Sequence, residues 1–176
     1  MSKSLAPLAD RLWDAALVYL GRAESSVQSV RRMLARRVAT WARQMDRPDD
    51  PAALAAIEAV IVRLQRQGAV DDTRFAAQKV LSLSRDGRSG RAIAAYLAQR
   101  GIGAEIVEQA LASRADEAEF EPDFAAALRF AAKRRLGRFR TPDQRLSRRR
   151  QDLAALGRAG FSWDIARRLV DSDGDE

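Results

Sequence analysis

The chain contains no cysteine and no histidine among its 176 residues. The first absence excludes disulfides and gives no sign of an oxidising compartment. Together the two absences remove most metal sites, Cys–His nucleophiles and the Ser–His–Asp triad, so no cofactor or metal is expected. No apolar run approaches the roughly 20 residues that a membrane span needs. The N-terminal MSKSLAPLADRLWDAA is an aspartate-bearing amphipathic segment, not a signal peptide. A cytoplasmic protein with no membrane partner is the expectation. Neither a GxxxxGK[ST] loop nor a GxGxxG fingerprint occurs. A carboxylate pair could still do acid–base work, but the acids sit at helix starts and on polar faces, where capping and solvation account for them. The protein is therefore not expected to be an enzyme.

What the chain does have is apolar residues at 47%, enough for a sizeable core, and charged residues at 31%, which suits much exposed surface. The net charge of +7 favours an acidic partner. The apolar period is helical nearly everywhere, and β-branched alternation over a strand length is missing. Val27, Val30, Leu34, Val38 and Trp41 form one helical stripe, and Leu54, Ile57, Ile61 and Leu64 another. Leu146, Leu153 and Leu156 mark the buried stripe of an eighth helix. Asp50-Pro51 reads as an N-cap followed by proline, Thr141-Pro142-Asp143-Gln144 as a capping box, and Ser162 as the start of a short helix. Asp71 and Asp72 read as N-cap and first-turn acids. Gly68, Gly87, Gly101 and Gly160 supply stops.

The chain also repeats itself. RFAAQKVL (Arg74 to Leu81) returns as RFAAKRRL (Arg129 to Leu136), and LAQRGIGAEIVEQAL (Leu97 to Leu111) returns as LGRAGFSWDIARRLV (Leu156 to Val170). The offset grows by four residues between the two matches, so the later unit has an insertion between its first two helices. AALVYL and RRMLARRV, near the N-terminus, are a fainter copy. The fold class expected is all-α: three tandem three-helix repeats, at 1–67, 70–114 and 120–171, stacked into an elongated monomer whose thin cores share apolar surface. SRADEAEFEP (Ser113 to Pro122) reads as a linker and DSDGDE as a disordered acidic tail.

At these residues the sequence resembles the RecX family, bacterial modulators of the RecA recombinase. The likeness runs from Leu12 to Val170. It is carried by YLGRAESSVQSVRRML, RLQRQGAVDDTRFAAQKV, SRDGRSGRAIAAYLAQRGI, KRRLGRF and LGRAGFSWDIARRLV, in that order and spacing. One departure is that VATWARQMDRPDDP follows LARR where the family turns quickly at a glycine. The resemblance implies a tandem three-helix-repeat fold. It also implies binding along the RecA–DNA filament, with inhibition of ATP hydrolysis, strand exchange and LexA-type coprotease activity as the usual effect.

Arginine clusters are the candidate contacts. RRLGRFRTPDQRLSRRR holds Arg134, Arg135, Arg138, Arg140, Arg145, Arg148, Arg149 and Arg150 against one acid, Asp143. Arg32, Arg36 and Arg43 line the second helix opposite its apolar stripe, and Arg85, Arg88 and Arg91 surround the Gly87/Gly90 turn. Arginine's planar fork suits phosphate and carboxylate, though solvated helix faces with snorkelling stems account for such clusters too. The partners expected are the RecA filament and single- and double-stranded DNA without sequence preference. A free-standing DNA-binding protein and a scaffold unrelated to DNA are the alternatives. Phe139 reads as a plug fixing the turn before the eighth helix. Trp13, Trp41 and Trp163 read as packing residues.

Overall fold

The computed structural model describes residues 5–44, 51–116 and 121–172. The expected Asp50 cap, the middle of the linker and the last residues of the acidic tail lie outside them. Among the described residues there are nine α-helices and no strand: α1 (Leu5–Leu20), α2 (Val27–Gln44), α3 (Pro51–Arg66), α4 (Asp72–Arg85), α5 (Gly90–Gln99), α6 (Ala104–Asp116), α7 (Pro122–Arg134), α8 (Pro142–Arg158) and α9 (Trp163–Asp171). A one-turn 3₁₀ helix, Gly137–Phe139, separates α7 from α8. The helical period read from the sequence is therefore the fold. The first four residues of the expected linker, Ser113 to Asp116, belong to α6.

The chain forms two compact units, Met1–Phe75 with Arg100–Ile102, and Ala76–Gln99 with Gly103–Glu176. In the first, α1, α2 and α3 pack on one another around Leu12, Ala16, Val30, Leu34, Ile57, Ile61 and Leu64. In the second, α5 packs on α6, and α7, α8 and α9 enclose Ala127, Ala131, Leu153, Leu156, Ile165 and Leu169. The matched positions Leu97 and Leu156 are both fully buried, and Ile102 and Phe161 are both buried.

The helices stop by a recurring device. After α3, Gly68 (φ 65°) donates its N–H to Gln65 O and Ala69 donates to Leu64 O. The same pair of bonds follows α4 at Gly87 and α8 at Gly160. This is the Schellman arrangement, which requires a left-handed residue and so favours glycine. The stop after α7 has the same two bonds, from Arg135 to Ala132 O and from Leu136 to Ala131 O. Its left-handed residue is an arginine, Arg135, at φ 52°. Because α4 continues to Arg85 while α7 ends at Arg134, the two copies part company there. The inserted residues become the 3₁₀ turn and the long N-terminal end of α8.

A second repeated device ties the start of a helix to segments later in the chain. Within the first compact unit, Ser26 Oγ donates to Arg100 O (2.7 Å), and Val27 N–H donates to Asp72 Oδ1 (2.9 Å). Within the second, Ser89 Oγ donates to Ala159 O (2.8 Å), and Gly90 N–H donates to Asp123 Oδ1 (2.9 Å). Ser26 and Ser89 are fully buried. Each serine also accepts from its own helix, from Ser29 N–H and Ala92 N–H. One hydroxyl thus caps one helix and satisfies a carbonyl at the end of another.

Several expectations are corrected. Leu146 is 86% exposed, so the buried stripe of α8 begins only at Leu153. Leu54 is 68% exposed because Ala53 and Ala56 take the inward positions of α3 instead. Trp163, at the first position of α9, is 62% exposed and is not a packing residue. Trp13 and Trp41 do pack on the first core, each with an arginine over its ring. Thr141 makes no side-chain cap bond, whereas Asp71 caps α4 through Thr73 and Arg74 N–H, and Ser162 caps α9 through Ile165 N–H.

Candidate functional site

The stretch Arg134–Arg150 divides into arginines used by the fold and arginines left to solvent. Asp152, 1% exposed, is the anchor of the turn between α7 and α8. Its carboxylate accepts from Gly137 N–H (2.8 Å) and from Arg140 Nε and Nη2 (2.6 and 2.7 Å). Burial pushes the Asp152 carboxyl up, but the Arg140 guanidinium and the Gly137 amide outweigh it and leave it below the usual carboxylate range. Gly137 (φ 53°) lies so close to α9 that a Cβ there would stand 2.9 Å from Val170 Cα. Phe139 leaves 38% of its surface exposed, so this ion pair and the Gly137 contact fix the turn, and the expected aromatic plug does not.

Three more arginines of the stretch hold local structure. Arg145 donates to the carbonyls of Arg138 (3.2 Å) and Arg140 (3.4 Å). Arg149 makes a bidentate pair with Asp171 at 2.7 Å for both bonds, and this pair lowers the Asp171 carboxyl. Arg134 lies over the Phe130 ring at 4.6 Å. Arg148 donates to Gln151 Oε1 (2.8 Å) and forms no ion pair among the described residues. Arg145, Arg148 and Arg149 thus each have a different partner.

Arg36, Arg85, Arg88, Arg91, Arg135 and Arg150 have side chains without a hydrogen-bond or ion-pair partner among the described residues. Arg88 and Arg135 lie in turns, and Arg85 and Arg91 at the helix ends that flank the Gly87 turn. Arg32 is exposed on α2, as are Arg36 and Arg43. Two cations that the repeat comparison passed over belong beside Arg85 and Arg88. Gly87 sits against α7, where a Cβ would stand 2.9 Å from Phe130 N and 3.3 Å from Arg129 Cβ, and Lys133 Nζ donates to Asp86 O (3.1 Å). The available signal was that Arg129 and Lys133 stand at i and i+4 on α7, hence on one face.

Among the described residues no group of three or more acids could hold a metal ion, and no helix is long and apolar enough to cross a membrane. Open grooves beside Trp41 are lined by Met33, Arg36, Arg37 and Thr40 on one side and by Arg11, Asp14 and Val18 on the other. Neither gathers a nucleophile with a base. Their arginines are of a kind that suits anions.

Comparison with known proteins agrees with the repeat. Residues 71–111 match the family model described as RecX, second three-helix domain. The regulatory protein RecX of Myxococcus xanthus (strain DK1622) is 40% identical over 163 residues, 92% of this chain and 85% of that protein. The regulatory protein RecX of Escherichia coli (strain SMS-3-5 / SECEC) is 34% identical over 137 residues, 77% of this chain and 76% of that protein. A crystal structure of regulatory protein RecX superimposes with a TM-score of 0.67 at 22% identity, over 96% of this chain and 74% of that one. A RecX structure from Lactobacillus salivarius gives 0.65 at 20% identity, over 94% and 96%. The chain belongs to the RecX family of regulatory proteins.

Proposed function

We propose that this protein binds the RecA–DNA filament and lowers RecA ATP turnover, strand exchange and coprotease activity. The observation that carries the reading is the match to a named regulatory RecX protein over nearly the whole chain. The surface is compatible with it. A filament offers phosphates and protein carboxylates together, and the net charge of +7 is concentrated in arginines that suit both. The proposed contacts are Arg32, Arg36, Arg85, Arg88, Arg91, Arg135, Arg148 and Arg150, with Arg134 and Arg138 beside them. Arg140, Arg145 and Arg149 hold the turn and α9, and they contribute by placing the others. The three-helix units at 70–114 and 120–171 are proposed as the repeating elements that present these side chains.

Arg135 supports the reading independently of the comparisons. A left-handed residue other than glycine costs roughly 1 kcal/mol or more. The matching stop after α4 uses Gly87. An arginine retained at that cost is a candidate contact, since its exposed side chain does nothing for the turn. The test is binding of a fluorescently labelled protein to preformed RecA filaments on single-stranded DNA, compared with naked DNA and with RecA alone. The reading expects the filament to bind most tightly. Equal binding to naked DNA and to filament would contradict it.

A further inference from the structure

The α4–α5 turn and one face of α7 bring together four cations from separate parts of the sequence. Arg85 closes α4, Arg88 stands in the turn, and Arg129 and Lys133 stand one turn apart on α7. The close seating of Gly87 on Phe130 N and Arg129 Cβ holds the turn against α7, and the Lys133–Asp86 carbonyl bond spans the same junction. None of the four charges is paired with a carboxylate among the described residues. Asp86 is the acid in the turn itself, and it forms no ion pair there. The neighbouring Asp123 is already held by Arg114 (2.6 Å) and Gly90 N–H. At the start of α5 the Gly90 and Ala92 amides are taken by Asp123 and Ser89. What remains is a set of side-chain point charges on a rigid backbone junction.

We propose that Arg85, Arg88, Arg129 and Lys133 form one site for the phosphate backbone of nucleic acid, with Arg91 at its edge. Like charges held close repel at low salt, and a polyanion removes that repulsion while releasing its own counterions. No exposed aromatic ring lies among the four, so the site reads backbone and not bases, and sequence preference is not expected. This rests on the filament reading and adds to it the part of the surface that meets nucleic acid.

The test compares wild type with Arg85→Gln/Arg88→Gln/Arg129→Gln. Lys133 is kept for its bond to the turn. Arg22→Gln/Arg66→Gln/Arg158→Gln, three exposed arginines elsewhere, is the charge-matched control. Binding of a labelled single-stranded oligonucleotide is measured by anisotropy from about 50 to 200 mM salt, a range over which phosphate contacts are read from the slope. Circular dichroism confirms that each variant is folded. At about 0.7 per single-strand contact, the site variant should show a log–log slope shallower by about 2 than wild type, and the control should keep the wild-type slope. Equal slopes for wild type and site variant, or equal flattening in both triple variants, overturn the site. If that happens while the wild-type protein still lowers RecA ATP turnover, the site fails and the filament reading stands. A wild-type protein that binds no oligonucleotide at any salt also overturns the site.

Discussion

Asp152 shows at single-residue scale what separates a structural arginine from a surface one. Eight arginines crowd RRLGRFRTPDQRLSRRR, and nothing local distinguishes Arg140 from Arg150. The distinction comes from a carboxylate twelve residues later that the fold buries. The sequence made the cluster legible but not its division, because partners such as Asp152 and Asp171 are set by packing. Asp152→Ala removes both acceptors from Arg140 and the acceptor of Gly137 N–H. Chemical denaturation should show a loss of about 3 kcal/mol. The same carboxylate predicts acid sensitivity. Its folded-state pKa lies below its unfolded value, so its contribution is complete above the usual carboxylate range and is lost as pH falls through the depressed folded value. Wild-type stability should therefore drop in that acid window, and Asp152→Ala should show a weaker drop there. Arg135→Gly makes the opposite prediction. Relief of the left-handed strain should raise stability by about 0.5–1 kcal/mol, while the proposed lowering of RecA ATP turnover weakens. A variant that is less stable than wild type would remove the strain argument.

At the scale of elements, most of the helices were legible because their stops and stripes are local. Gly68, Gly87, Gly101 and Gly160 all have positive φ, and the stripe of α2 is buried or half-buried as spaced. Leu146 fails for a reason that phase cannot show. It has the correct spacing from Leu153, but α8 has 17 residues and α9 has 9. At 1.5 Å per residue the covering helix is about 12 Å shorter. Its last turn reaches Arg149 through Asp171, so Leu146 lies beyond it. Trp163 fails because it aligns with Ala104, an exposed first-turn position in the earlier copy. Leu97→Ala and Leu156→Ala should each cost about 2–5 kcal/mol, since both are fully buried at matched positions. Leu146→Ala should stay within about 0.5 kcal/mol of wild type. A thermal or urea melt separates these outcomes. A large cost at Leu146, or none at Leu97, would contradict the packing described.

For the whole molecule, charge and repeat point to one kind of partner. The chain carries many arginines, whose planar forks suit anions. What sequence reading could not supply is which cations stand together: Arg85 and Arg129 are matched to different repeat positions, and the seating of Gly87 on α7, with the Lys133–Asp86 carbonyl bond, joins their surroundings. The proposal that the protein restrains the RecA filament is tested most directly by steady-state ATP hydrolysis of RecA on single-stranded DNA, with this protein titrated into preformed filaments. The account predicts a dose-dependent fall in turnover that saturates at or below one molecule per RecA protomer. It also predicts a weaker fall for the folded Arg135→Gly protein. Turnover unchanged at stoichiometric addition would contradict the account.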